Sequence, residues 1–344
     1  MKDNSDDSIP GKLKRAEDLL IQQDAEEARK LFEEVLEEEP DNWQALNGLG
    51  LIFANIDTYK SIEYFKLATQ SCTDSDAPFF NLGTTYASLG QKKKAVEIWE
   101  TGLIVESARL LQALGQEYLY GLGNYSKARE YLGRALELNP GREDIIYLLG
   151  TTYEQEGELV KAEECYLKAQ NNYNAVVQLA LLYWKIKRVE ECVTLFEKAL
   201  TIEDTHVVRF SLAAVYNDER VYNREKALEN LLTGLEMYPY SGSAKNLLKR
   251  IIGTMSDEQR AEYEDDLARF EILGNSPENS ISVDSVKEEY EIIKNDSCSE
   301  CDGYLEIDKQ SLVERNGHNF DRLETHCRNC KREKTYWFLI DSFF

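Results

Sequence analysis

A small residue followed four places later by a bulky one recurs through most of this chain at a spacing close to 34 residues. The small positions are Ala28, Ser61, Ala95, Ala128, Ala162, Cys192 and Ala227, and the bulky ones are Phe32, Phe65, Trp99, Leu132, Tyr166, Phe196 and Leu231. Successive small positions are 33, 34, 33, 34, 30 and 35 residues apart. A second series runs in phase with the first: Gly50, Gly83, Gly115, Gly150, Ala180 and Ala213, each followed three residues on by Phe53, Tyr86, Tyr118, Tyr153, Tyr183 or Tyr216. Steps of three, four and seven place side chains on one face of a helix. Each unit therefore reads as two short amphipathic helices that approach closely at glycine or alanine, with an aromatic ring filling the space beside the crossing. Such a unit cannot bury its apolar face alone, so the units must stack, and a mostly α architecture follows.

The clearest unit is Asp74 to Leu103, DSDAPFFNLGTTYASLGQKKKAVEIWETGL, and prolines at Pro40, Pro140 and Pro239 close several others. On these residues the chain resembles tetratricopeptide repeat proteins over roughly Ile9 to Gly253. The resemblance implies a right-handed α-solenoid of about seven helix pairs, with the first helix of each pair lining a concave groove that binds a protein or peptide partner. In that register the candidate groove residues are Asn47, Phe80, Asn81, Gln112, Gln116, Tyr120, Tyr147, Gln178, Trp184 and Lys185, with Asn55 also turned inward. Only Arg109 and Lys185 add positive charge there, so a lysine-arginine clamp for an acidic tail is not expected.

Departures from the repeat are informative. The first helix, around Ala16 and Leu19, lacks the aromatic, as a terminal repeat with one neighbour can. The gap of 30 before Cys192 points to a shortened turn around Gln170–Tyr173, and Asp218–Arg224 carries an insertion. The organisation expected is a disordered stretch over 1–8, repeats with a capping helix over 9–253, and an extra helix over 254–273. A linker and short helix over 274–296 and a last module over 297–344 complete it. Ser256 and Gln259 offer capping-box chemistry for the extra helix, which carries Tyr263, Leu267, Phe270 and Leu273 at helical spacing.

The last module changes character. Cys298-x-x-Cys301 and Cys327-x-x-Cys330 are two pairs with 25 residues between them. Thiolates from two tight turns can complete one tetrahedral S4 site, so zinc is the expected metal and iron the alternative for the same donor set. Tyr304–Val313 and Phe320–Thr325 alternate as strands about the hairpin dipeptide Asn316-Gly317, with a third strand at Thr335–Ile340. This pattern looks like a small β-rich zinc ribbon, in which His318 and His326 read as turn and strand residues. Repeats joined to such a module are also similar to a membrane-anchored bacterial family of lipopolysaccharide-control adaptors with a rubredoxin-type C-terminus. This chain departs from that family at the N-terminal anchor and in both knuckles, where Lys331 stands in the position of a glycine.

Charge and chemistry narrow the function. The formal net charge is -23, from 63 acidic and 40 basic residues, which repels phosphate backbones and anionic membranes. The basic cluster Arg328, Lys331, Arg332 and Lys334, with Tyr336 and Trp337 nearby, is the one feature favouring nucleic acid. It lies in a segment, Cys298 to Phe344, with nine acidic and seven basic residues. The start of the chain shows no secretory pattern and the longest apolar run is too short for a bilayer, so a cytoplasmic location is expected. There are three histidines and no GxxxxGK[ST], GxSxG or HExxH motif, so the chain reads as a non-enzyme. Cys72, Cys165 and Cys192 fall on helical patterns, where Cys165 and Cys192 read as buried small hydrophobes, and His206 reads as a surface or capping residue. The expected function is an interaction scaffold with a structural metal module. The alternative is a redox or nucleic-acid-linked regulator acting through the four cysteines.

Overall fold

The computed structural model describes residues 7–272, 281–282, 286–296, 304–315 and 318–339. It forms two compact units, 1–175 and 176–344. The first unit holds five helix pairs: α1 (Ile9–Ile21) with α2 (Ala25–Glu38), α3 (Trp43–Phe53) with α4 (Thr58–Ser71), α5 (Ala77–Ser88) with α6 (Lys92–Gly102), α7 (Ala108–Gln116) with α8 (Tyr125–Leu138), and α9 (Glu143–Gln155) with α10 (Leu159–Lys168). Each pair packs internally and against the next. Helix α11 (Tyr173–Lys185) spans the boundary between the units. The second unit continues with α12 (Val189–Ile202), the pair α13 (His206–Tyr216) and α14 (Arg224–Met237), then α15 (Gly242–Gly253) and α16 (Asp257–Ile272).

The helix starts are written in the sequence. Asp24, Asn42, Asp57, Ser107, Asn124, Thr205, Asn223 and Ser241 each accept a hydrogen bond from the backbone N–H three residues on, satisfying a donor that the first turn leaves open. Ser8 does the same for α1, so order begins inside the stretch expected to be disordered, of which residues 1–6 lie outside the described residues. Ser256 likewise accepts from Gln259 N–H, at 3.4 Å.

The expected crossing register holds. A Cβ added at Gly50 would lie 2.4 Å from the Phe65 ring, at Gly83 2.2 Å from Trp99, at Gly115 2.5 Å from Leu132 and at Gly150 2.6 Å from Tyr166. In each case the bulky residue of the second helix lies directly against the glycine of the first. Trp99 also donates its indole N–H to the Phe80 carbonyl at 3.2 Å, and Ser61 donates its hydroxyl to the Gly50 carbonyl at 2.7 Å. The Ser61, Ala95, Ala128, Ala162, Cys192 and Ala227 side chains are all fully buried. Burial pushes the Cys192 thiol up to about 12, and it also raises those of Cys165 and Cys72.

A cation caps the aromatic that follows each crossing. Lys60 lies 4.1 Å from the Phe53 ring centroid, Lys94 5.4 Å from Tyr86, Lys127 4.7 Å from Tyr118, Lys161 5.3 Å from Tyr153 and Lys226 5.0 Å from Tyr216. Each of these lysines directly precedes the small residue of its second helix. Before Cys192 that place is taken by Glu191, and Arg188 supplies the cation instead, 3.8 Å from Tyr183. An exposed contact of this kind contributes about 0.5–1 kcal/mol, and here it recurs with the repeat.

One departure resolves differently from expectation and one as expected. The connection at 169–172 has ordinary length. The missing residues come from α10, which is 10 residues long where α8 and α12 are 14, so the helix and not the turn is shortened. The insertion at 217–223 is a loop between α13 and α14 pinned by Asp218, whose carboxylate binds Arg220. His206 is no simple capping residue: Thr205 is the cap, and the imidazole stacks on Tyr238 at 4.7 Å.

The end of the second unit is larger than a three-stranded ribbon. Strands β2 (Leu305–Arg315), β3 (His318–Cys327) and β4 (Glu333–Leu339) form the expected antiparallel meander. Its hairpin dipeptide Asn316-Gly317 lies outside the described residues, as do Leu273 and Ile340. A further strand, β1 (Ile281–Ser282), pairs in parallel with β4, giving the order β1-β4-β3-β2. Ile281 therefore belongs to the sheet and not to a linker. Helix α17 (Val286–Asn295) also packs on this sheet: Ile292 and Ile293 join Ile281, Leu323, Tyr336 and Phe338 in one buried cluster, with Tyr240 against it.

Replacing Gly83 by leucine should lower the melting temperature of the chain, at a cost of about 1–3 kcal/mol or more, because the Trp99 ring already occupies the space. Gly133 lies mid-helix in α8 with nothing within 4 Å of its built Cβ. Gly133→Ala should therefore stabilise by about 0.5–1 kcal/mol. Equal shifts for the two variants in thermal unfolding would refute the crossing register.

Candidate functional site

The first helices of the first unit carry a polar ladder. Asn81 on α5 donates its amide N–H to Asn47 Oδ1 on α3 at 2.9 Å, across one full repeat. Gln112 on α7 donates to Asp144 Oδ2 at 3.0 Å and accepts from Arg142 at 3.3 Å. Arg142 in turn holds both oxygens of Asp144, at 2.8 and 2.6 Å. Arg109 binds both oxygens of Asp76, at 3.2 and 2.6 Å, while its guanidinium lies 4.5 Å from the Phe80 ring centroid. Three amides and one ring selected from the sequence thus take part in contacts between neighbouring repeats.

The charges in this ladder are internally balanced. At Asp76 burial pushes the carboxyl up, but hydrogen bonds from Arg109 and Ser107, with the charge of Arg109, carry it below the usual 3.8. At Asp144 the Arg142 hydrogen bonds lower it, against an opposing push from burial, and Gln112 lowers it further. Arg109, one of the two positive charges expected along the groove, is paired with Asp76. Asp76, Asp144 and Arg142 were not singled out in sequence. A position one repeat away from Arg109 or Gln112 was the available signal for them.

Tyr120 and Tyr147 stand apart from this ladder. Glu117–Gly121 continues α7 as a π-helical turn, in which Leu122 N–H bonds back to the Glu117 carbonyl at 2.9 Å. Lys92 takes the Gly121 carbonyl at 3.0 Å. The widened turn leaves Tyr120 59% exposed, its hydroxyl 3.5 Å from that of Tyr147 on α9, and Gln116 is exposed just before it. Turns of this type are frequent at functional sites. In the second unit, Gln178 and Trp184 are partly buried on α11 and Lys185 is exposed.

At the chain end, Cys298 and Cys301 lie outside the described residues. The second knuckle is well defined. Lys331 N–H bonds the Cys327 carbonyl at 3.0 Å, Cys327 N–H bonds the Arg332 carbonyl at 2.8 Å, and Lys331 has φ +62°. The left-handed conformation that a glycine usually supplies after such a turn is thus kept with a lysine in place. Arg328 N–H bonds the carbonyl of Tyr304, three residues after Cys301 in sequence, at 2.9 Å. The Cys327–Cys330 turn is thus tied to the residue immediately before β2. Two of the four cations of the basic cluster are in ion pairs, Arg328 with Glu306 at 2.8 Å and Lys334 with Asp296 at 2.6 Å, and Tyr336 is buried. His326 is a strand residue, with Nδ1 2.7 Å from Asp308.

Family models described as tetratricopeptide repeat match residues 13–70, 119–170 and 173–206. The chain carries tetratricopeptide repeats. Solved structures with the same repeat fold include a tetratricopeptide repeat protein from Parabacteroides merdae, 19% identical, covering 71% of this chain and 98% of that one with a TM-score of 0.50. The C-terminal part of a repeat protein from Cytophaga hutchinsonii is 16% identical and covers 69% and 99%, with a TM-score of 0.52. The Cut9 and Hcn1 hetero-tetramer of the APC/C is 16% identical over 71% and 49%, with a TM-score of 0.53. No curated protein sequence matches this chain. No helix among the described residues is long and apolar enough to cross a membrane.

In these repeats the depressed carboxyls of Asp76 and Asp144 contribute stability that is complete above their ordinary value of 3.8 and is lost as pH falls through their lower folded values. Unfolding of the repeats should therefore become easier on acidification below about pH 4. An Asp76→Asn, Asp144→Asn double variant should show a shallower decline. An identical decline in circular-dichroism melts would show that other carboxylates govern the acid limb.

Proposed function

We propose that this protein is a non-enzymatic scaffold of the cytoplasm that holds a partner protein or peptide along the wall formed by the first helices of its repeats. The observation that carries the reading is the exposed Tyr120 beside Tyr147, on a π-helical turn between runs of polar side chains already satisfied by one another. A rigid tyrosine offers a large contact area and a hydrogen-bonding tip at little entropic cost, which suits it to anchoring a partner side chain. The net charge of -23 favours basic or neutral segments over acidic ones. Asn47, Phe80, Asn81 and Gln112 then serve to shape and stiffen the wall, with Gln116 available to a peptide backbone.

The C-terminal module acts in this reading as a structural zinc unit. Cys298, Cys301, Cys327 and Cys330 would hold one ion with four thiolates, and the metal would supply folding energy to a small sheet, with no open position for hydrolysis.

Photo-crosslinking from position 120, compared with a crosslinker at the exposed Lys168, should capture a partner from host lysate only at position 120. Tyr120→Ala with Tyr147→Ala should weaken that complex at least tenfold while leaving helix content unchanged. Equal retention by the folded double variant would remove this wall as the binding site.

Elemental analysis of the purified chain should find one zinc ion. Cys301→Ser should release it and unfold the C-terminal sheet, with the repeats still helical. Iron, with its visible thiolate-to-metal absorption, would overturn the structural role.

A further inference from the structure

Helix α17 brings Glu289 down onto the sheet opposite Asp321 of β3. Glu289 is 0% exposed and Asp321 5%. Neither oxygen of Glu289 has a hydrogen-bond partner, nor has Asp321 Oδ1. Asp321 Oδ2 accepts from the Gln310 amide of β2, whose carbonyl oxygen accepts from the Tyr290 hydroxyl of α17 at 3.0 Å. Both carboxyls are thus buried where α17 packs on the sheet, with Asp321 joined through Gln310 to Tyr290 of the same helix and Glu289 left without a hydrogen-bond partner.

The charged groups around them are committed elsewhere. Lys334 of β4 binds Asp296 at 2.6 Å, and the Tyr336 hydroxyl donates to the same oxygen. Arg322, next along β3 and so on the other face of the strand, pairs with Glu324 and lies 5.6 Å from the Trp337 ring centroid. Burial, and after it the charge of Glu288, raises the Tyr240 hydroxyl above its ordinary value. Among the described residues, neither carboxyl of the pair has a cation partner.

We propose that docking of α17 onto the sheet is held by a single proton shared between Glu289 and Asp321, and that loss of this proton loosens the helix from the module. Two carboxylates enclosed together cannot both ionise at low cost, whereas one acid and one carboxylate can bond to each other. Burial, reinforced by the charge of Asp321, holds Glu289 up to about 8 from its ordinary 4.5. Because the docked state keeps a proton that the undocked helix gives up near 4.5, docking is strongest below that pH. It weakens as pH rises, by about tenfold per unit for one proton, and levels off above about 8. The proposal concerns the module's helical cover and does not depend on the metal or on the repeat wall.

The test is amide hydrogen exchange of residues 286–295 in the full chain from pH 5 to 9, corrected for the intrinsic exchange rate at each pH. Protection of these amides should fall about tenfold per pH unit up to about pH 8, with the repeat helices unchanged. Glu289→Gln should remove the dependence and leave protection above wild type at pH 9. Asp321→Asn should shift the fall to lower pH by relieving the repulsion. A flat wild-type profile overturns the proposal by itself, even if neither variant folds. So does a Glu289→Gln protein that titrates like wild type.

Discussion

The contact on which the helical part of this molecule depends is a ring or a branched side chain lying against a glycine. Phe65 on Gly50, Trp99 on Gly83, Leu132 on Gly115 and Tyr166 on Gly150 leave no room for even a methyl group. Close packing of this kind fixes the distance between the two helices of a pair. It also fixes their register, since moving either helix by one residue would replace the glycine with a side chain. Stacking then follows, because each pair leaves an apolar face that only the next pair covers: Leu110, Leu111, Leu114 and Ile145 are fully buried at such places.

A chain with 63 acidic and 40 basic residues has few cations to spare, and the structure uses many of them locally. Lysines cap the aromatics beside the crossings, and Arg109 and Arg142 lock carboxylates of the polar ladder. What remains outward is predominantly negative. That distribution opposes polyanions and leaves the tyrosine on the π-helical turn with most of its ring open to a partner. The proposed docking of a basic or neutral segment rests on this contrast between a satisfied ladder and an exposed ring.

The C-terminal sheet follows a different logic. Here α17 packs on one face while β1 extends the edge at β4, and Ile281, Ile292 and Ile293 complete a cluster with Leu323, Tyr336 and Phe338. The cover brings a buried carboxyl with it. At the opposite end of the sheet the Cys327–Cys330 turn keeps a left-handed residue at Lys331, a conformation that the proposed metal would help to hold.

The sequence by itself determined the repeat, its phase and the crossing pairs, because glycine and a bulky partner recur at a fixed helical offset and local periodicity survives any tertiary context. It also determined the strands of the meander and the tight Cys-x-x-Cys spacing. Tertiary structure alone decided which polar residues are spent. Asn47, Asn81 and Gln112 look available along one helix, yet their partners sit about one repeat away, at a distance that only stacking closes. It likewise decided that α10 is shortened rather than the turn after it, since either change gives the same spacing in sequence. The Ser-, Asn- and Pro-rich stretch around Ile281 read as a linker because two residues carry no periodicity. Only the open edge of β4, which exists once the sheet has formed, makes them a strand.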